Sequence, residues 1–193
     1  MIKASDDPKQ RAILESAWVA FSAYGFRKTS MDDIARGAGM SRPALYLHYR
    51  NKEAIFAGLV EAHYGLALEQ VAVALTTTGS LEKRLQAAFD AQGGPAMKAM
   101  MTSPHGLELF EAGMSAAGEA IAIGETALQG VYVSWLNAEA EAGRVVLPGD
   151  VGEIARVFCS AMKGVKHTSK DYASYASGVA QLALLFGAAL RPR

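Results

Sequence analysis

Residues 32–49, Asp32 through Tyr49, read DDIARGAGMSRPALYLHY, and this stretch decides how the rest of the chain is read. Two short helices that cross steeply need a small residue at their approach, a turn that accepts a left-handed backbone, and an apolar anchor beyond it. Ala35 is the small residue. Gly39, four positions on, suits the left-handed turn, which glycine adopts at little steric cost. Leu45, six further on, is the anchor, and Ile34, Ala38 and Met40 fill the intervening positions expected to be buried. Ser30 with Asp33 forms a capping box ahead of a helix over 31–37, and Ser41 caps a helix of about seven residues beyond the turn. The pattern is that of a helix-turn-helix.

The second helix of such a pair presents its start to the DNA major groove, which admits an α-helix. Ser41, Arg42, Pro43 and Ala44 stand at that leading end, where a guanidinium can pair with guanine O6 and N7. Tyr46 and His48 carry hydrogen-bonding groups for phosphate. Lys52, in the first turn of the next helix, is placed for phosphate too, as are the free N–H groups of that helix start. Thr29 and Ser30, which open the preceding helix, complete the candidate surface. Each residue also has a plainer reading. Ser30, Ser41 and Asn51 are helix caps worth about 1 kcal/mol each. Arg27, Lys28 and Arg36 make a solvated face, and Tyr46 a core aromatic. Their concentration on one short motif favours the DNA-facing reading.

Outward from the motif, every segment reads as helix. Asp7 caps a first helix with Pro8 at its opening position and Gln10 as capping-box partner, and Leu14, Ala17, Trp18, Phe21 and Tyr24 recur at helical spacing before Gly25. Asn51 caps a helix from Lys52 to about Thr76. Further helices are expected over 81–92, closing at Gly93-Gly94-Pro95, and over 96–101, 105–112 and 115–142. Asp150 caps another to about Lys166 and Asp171 a last one to Leu190. No stretch alternates with period two between hairpin turns. The expectation is an all-α chain of about nine helices. Residues 1–55 would form an N-terminal three-helix helix-turn-helix domain, and 56–193 a larger helical domain.

The bulk composition first argues the other way. The 193 residues carry 19 Lys+Arg and 19 Asp+Glu, whereas nucleic-acid binders are often basic. By region the balance breaks: residues 1–60 hold nine basic and six acidic groups, and 61–193 hold ten and thirteen. A basic head precedes an acidic body. Hydrophobic residues at 51% exclude a disordered chain. The single cysteine, Cys159, is expected to be a small buried hydrophobe and fits a reducing, cytoplasmic compartment. The first residues show no apolar leader run. The uncharged stretch 172–190 is nearly long enough to span a bilayer, but Tyr172, Ser174, Tyr175, Ser177 and Gln181 make it a buried or interface helix, with no membrane partner expected.

The head resembles the tetracycline-repressor (TetR) family of transcriptional regulators. The resemblance runs over about 50 residues, from Arg11-Ala12-Ile13-Leu14 through Phe21, Gly25-Phe26, Thr29-Ser30-Met31, Ile34-Ala35, Ala38-Gly39-Met40-Ser41, Leu45-Tyr46 and His48-Tyr49 to Lys52-Glu53-Ala54-Ile55. It implies a ligand-responsive homodimer that binds a palindromic double-stranded operator, usually as a repressor. The family's DNA contacts carry over to Thr29, Ser41, Arg42, Ala44, Tyr46, His48 and Lys52. Two positions depart from the pattern: Leu47 is apolar where many relatives place a polar reader, and Pro43 lacks a backbone donor.

In the body, Tyr172, Tyr175, Val179, Leu182, Phe186 and Ala189 step by three and four, as do Ile154, Phe158, Ala161 and Val165. Gly164, Gly178 and Gly187 would let helices approach closely. From the residues alone, these stripes serve intrachain packing or a dimer seam equally well. The resemblance favours a homodimer through the helices around 150–166 and 171–190. Phe89, Met97, Met100, Met101, Phe110, Met114, Tyr132 and Trp135 form an adaptable apolar reserve. Of these, Phe89, Met100, Met101, Phe110, Met114, Tyr132 and Trp135 are the candidate effector-binding residues, with His63, His105 and Glu108 as polar anchors. The pocket itself is implied by the resemblance, and the effector is an unidentified small molecule. No nucleotide-binding glycine loop or metal-ligand spacing is present, so no cofactor and no metal are expected. A small all-helical enzyme or ligand-binding protein using the C-terminal pocket is the alternative, with His63, His105 and His167 as the available bases and no nucleophile or carboxylate at a catalytic spacing. No catalytic residue is assigned.

Overall fold

A computed structural model describes residues 7–192, and every regular element among them is helical. Nine helices follow in order: α1 (Pro8–Tyr24), α2 (Met31–Gly37), α3 (Arg42–Tyr46), α4 (Lys52–Leu75), α5 (Leu81–Thr102), α6 (Gly106–Ala116), α7 (Gly118–Glu141), α8 (Val151–Thr168) and α9 (Tyr172–Leu190). The stretch before Asp7, in which a leader run was sought, lies outside the described residues.

Local chemistry sets most of these boundaries. Asp7 caps α1 by accepting from the Lys9 N–H at 2.9 Å, a shorter reach than the Gln10 capping box expected. The capping box on α2 forms as read: Ser30 Oγ accepts from the Asp33 N–H, and Asp33 Oδ2 accepts from the Ser30 N–H at 3.0 Å. Gly39 takes φ +67°, a left-handed value that a Cβ would strain. Helix α3 spans five residues, shorter than expected. The break read at Gly93-Gly94-Pro95 is present inside α5, where Gly94 adopts φ 59° and ψ −174°. Helix α6 extends to Ala116, and α7 opens at Gly118.

The chain compacts into two units that cross the expected division at residue 55. One joins Met1–Leu66 with Pro95–Gly124, and the other joins Ala67–Gly94 with Glu125–Arg193. The first unit takes in more than the head because Leu109, Ala112, Ala117 and Ala120, from α6 and α7, complete the core of Ile13, Leu14, Phe21, Ile34, Leu45 and Ile55. Phe21, Phe26 and Phe56 meet pairwise at centroid distances of 5.2–5.6 Å, with Phe26 edge-on to Phe56. Ala38 and Met40 are only partly buried against this core, since they border the turn.

The second unit is built on an aromatic cluster. Phe158 stands 5.6 Å from Phe89, 5.5 Å from Tyr132 and 4.5 Å from Phe186. In the same unit, the buried Glu139 carboxylate is clasped by two guanidiniums: Arg84 Nη1 donates at 3.0 Å, and Arg144 donates from Nε and Nη2 at 2.9 Å. The hydrogen bonds from Arg144 and Arg84 hold the Glu139 pKa down at about 2. Cys159 is half-buried, and burial pushes its thiol up to about 11.

The residues of the two apolar stripes divide between buried and more accessible positions. Tyr175, Val179 and Phe158 are buried within their own unit, so this side of α8 and α9 makes intrachain contacts. A Cβ on Gly178 would lie 2.7 Å from Val165, so that glycine serves the packing of α9 on α8 within the chain. Leu184 (53% exposed) and Leu185 (65%) on α9 and Val157 on α8 are left to solvent. Helix α9 is long and apolar enough to cross a membrane by length and composition, but the buried side just described packs it against α8.

Candidate nucleic-acid interface

The outward surface of α3 is built by local rules. Ser41 caps the helix, its Oγ accepting from the Ala44 N–H at 3.3 Å, while Pro43 sits where a missing N–H costs nothing. Leu45 points inward and is fully buried, which turns Arg42, Pro43, Tyr46 and Leu47 outward to solvent; Ala44 is half-buried.

Arg42 is held in place from two sides. Its Nη1 donates to Asp32 Oδ2 at 3.0 Å, and its Nη2 donates to Tyr46 Oη at 3.3 Å with the guanidinium 5.6 Å from the ring centroid. The Tyr46 hydrogen bond and then the Asp32 charge raise the Arg42 pKa further, leaving a fixed cation with an ordered fork. Asp32 was not among the candidate residues. The only signal for it was its place in the first turn of α2, which reads equally well as a charge that favours a helix N-terminus.

Three candidate contacts are engaged inside the protein. Thr29 is 2% exposed, and its hydroxyl lies 2.7 Å from the Gly25 carbonyl and 3.2 Å from that of Ala20, so it ties the α1–α2 connection together. The Lys52 ammonium donates to three carbonyls, those of Phe26 (2.8 Å), Arg27 (3.0 Å) and Thr29 (3.1 Å), and lies 4.8 Å from the Phe26 ring centroid. It latches the start of α4 to the α1–α2 connection and has no donor left over for phosphate. His48 is half-buried with Nδ1 3.7 Å from Asp7 Oδ2. Ser30 is exposed but occupied, its hydroxyl donating to Asp33 Oδ2 at 2.6 Å, and that bond lowers the Asp33 pKa.

Further residues of the first unit brace the same connection. Glu108 of α6 accepts the Arg27 N–H at 2.7 Å, and Ser103 Oγ donates to the Ser22 carbonyl at 3.0 Å. His105 Nδ1 lies 3.7 Å from Glu108 Oε2, a histidine–carboxylate proximity that spacing alone did not bring out. Because the other Glu108 oxygen is bonded to the backbone of Arg27, the pair belongs to this bracing. Lys28 is exposed, and Arg36 pairs with Asp33 at 3.0 Å.

The candidate effector residues divide between the two units. Met100, Met101, Phe110 and Met114 belong to the first unit, where Met100 packs on the core and Met114 stands at the surface. Phe89, Tyr132 and Trp135 belong to the second. Phe89 and Tyr132 are fully buried in the aromatic cluster, and Tyr132 Oη donates to Gln92 Oε1 at 3.0 Å. Trp135 is also buried, yet its indole Nε1–H has no acceptor. Among the described residues no group of three metal-ligating side chains converges.

Residues 13–59 match the family described as bacterial regulatory proteins, tetR family. The chain is similar to the HTH-type transcriptional activator FasR of Mycolicibacterium smegmatis, at 33% identity over 85 residues, 44% of this chain and 39% of that one. It is also similar to the HTH-type transcriptional regulator EthR of the same organism, at 37% identity over 59 residues, 31% of this chain and 27% of that one. The chain thus spans well under half the length of these curated relatives. Among solved structures, SmeT, the repressor of the Stenotrophomonas maltophilia multidrug efflux pump SmeDEF, has the same fold. Its TM-score is 0.68 at 20% identity, covering 98% of this chain and 92% of that one. The fatty acid degradation regulator FadR from Bacillus halodurans aligns with a TM-score of 0.70 at 16% identity, covering 93% and 96%.

Proposed function

We propose that this chain, whose residues 13–59 match the tetR family of bacterial regulatory proteins, is a sequence-specific DNA-binding transcriptional regulator, a cytoplasmic repressor that a small molecule releases from its operator. The observation that carries this reading is the solvent-facing edge of α3. There Arg42 is exposed and held by Asp32 and Tyr46 on the helix that a helix-turn-helix offers to the major groove. Ser41, Pro43, Ala44 and Tyr46 frame that edge. Thr29, Ser30, His48 and Lys52 support it from behind.

Two half-sites of a palindromic operator need two heads, and the exposed apolar residues of α8 and α9, Val157, Leu184 and Leu185, suit a homodimer. For the effector, the second unit offers the buried, unpaired Trp135 N–H, a donor a polar ligand atom can satisfy. The SmeT–triclosan complex shows one protein of this fold holding a small molecule.

Selection of bound duplexes from a random pool tests the reading. An enriched palindrome is expected, and Arg42→Ala is expected to relax preference at one base of each half-site at a cost of about 1–3 kcal/mol. A protein that holds the enriched duplex no more tightly than random DNA would refute the assignment. Any effector must weaken operator binding by the same factor by which operator weakens effector binding.

A further inference from the structure

The outward face of α3 carries two parallel rows. Arg42 and Tyr46, four residues apart, form the polar row joined by the hydrogen bond and ring contact already described. Pro43 and Leu47, also four apart and therefore on one helix face, form an apolar row beside it. Leu47 is 86% exposed, more than any other large apolar side chain among the described residues. Its backbone remains right-handed helical (φ −70°, ψ −23°) and its N–H donates to the Ala44 carbonyl at 3.3 Å, so the side chain rides on an ordered helix end. It contributes nothing to the core, where Leu45 already fills the α3 anchor position.

Resting on the DNA-binding reading above, we infer that Leu47 is a specificity-determining residue that reads the 5-methyl group of one thymine in each operator half-site. The chemistry selects this occupant. The only apolar group on a base edge in the major groove is the thymine methyl. The row is two side chains wide and lies directly beside a guanidinium, too narrow and too charged for a protein core but matched to a single methyl flanked by acceptors. A hydroxyl or amide at this position would find donors and acceptors on every base pair, whereas leucine can only reward a methyl.

The test uses the full chain and the duplex recovered by selection, with each thymine replaced in turn by deoxyuridine, which removes only the methyl. One position per half-site is expected to weaken wild-type binding about fourfold, the loss of one buried methyl-sized group. Leu47→Ala is expected to bind the thymine and uracil forms equally, with an unchanged helical circular-dichroism spectrum. If no replacement weakens binding, or if Leu47→Ala keeps the same thymine preference, the inference is wrong while the DNA-binding reading stands. If Leu47→Ala changes the oligomeric state and leaves thymine discrimination intact, the row belongs to a protein partner and the inference falls. If selection enriches no sequence, the reading and the inference fall together.

Discussion

Replacing Lys52 with methionine keeps the length and apolar stem of the side chain and removes only the ammonium. In the native protein that ammonium donates to the carbonyls of Phe26, Arg27 and Thr29 at 2.8, 3.0 and 3.1 Å. A hydrogen bond from a charged donor is worth roughly 1.5–3 kcal/mol, and the ring contact with Phe26 about 0.5–1 kcal/mol more. Because the Arg27 carbonyl is exposed, water can replace that bond, and the side chain is only half-buried. The net cost expected for Lys52→Met is therefore about 2–3 kcal/mol. Urea unfolding followed by circular dichroism measures it directly, and thermal unfolding should shift down by roughly 5–10 °C for a chain of this size. Operator affinity measured against salt concentration supplies the second readout. A lysine on phosphate contributes about 0.9 to the slope of log affinity against log salt, whereas an internal latch contributes nothing to it. The expected outcome is lost stability with an unchanged slope. An unchanged unfolding midpoint, with a slope shallower by about 1 per half-site, would show that Lys52 grips phosphate and would refute the latch.

Thr29→Val is nearly isosteric and strips a buried hydroxyl from the Ala20 and Gly25 carbonyls, so a loss of about 1–2 kcal/mol is expected in the same unfolding assay, with Thr29→Ser recovering most of it. Glu139 titrates at about 2 instead of an ordinary 4.5, so its contribution is fully present above about 4.5 and is lost as the pH falls through 2. Acid unfolding of Glu139→Gln should lack that component, and at neutral pH the variant should be less stable by about 2–3 kcal/mol because Arg84 and Arg144 lose their shared carboxylate. A neutral effect at pH 7 would mean that water already screens the cluster. Leu185→Glu places a charge on a side chain that is 65% exposed, so the protomer should fold normally while light scattering reports a monomer and operator affinity drops by about a hundredfold or more. A dimer of unchanged size would move the interface elsewhere.

The parts of this molecule that were legible from residue order alone are those whose physics acts over three or four positions. The Ser30–Asp33 capping box, the left-handed Gly39, the Asp150 and Asp171 caps and the break at Gly94 each rest on groups that are neighbours along the chain, so residue type and spacing were enough to place them. The helix-turn-helix and the outward edge of α3 at Ser41–Ala44 and Tyr46 follow from those local rules. Leu47 stood out only against the family pattern, as an apolar residue where many relatives place a polar reader.

What spacing could not supply is which partner a side chain finds across the fold. Lys52, Thr29 and Glu108 look like a phosphate contact, a helix opener and a polar pocket anchor, but each is drawn to a backbone carbonyl or N–H up to 81 positions away. A charge or hydroxyl advertises its chemistry and not its addressee, and the converging carbonyls of the α1–α2 connection exist only once α1, α4 and α6 have packed. The same holds for α9, which carries apolar residues on nearly every side. Its periodicity admits several stripes, and the packing of α8 decides that Tyr175 and Val179 turn inward while Leu184 and Leu185 remain exposed. Local preference made the helices, and burial, a property of the assembled chain, chose their faces.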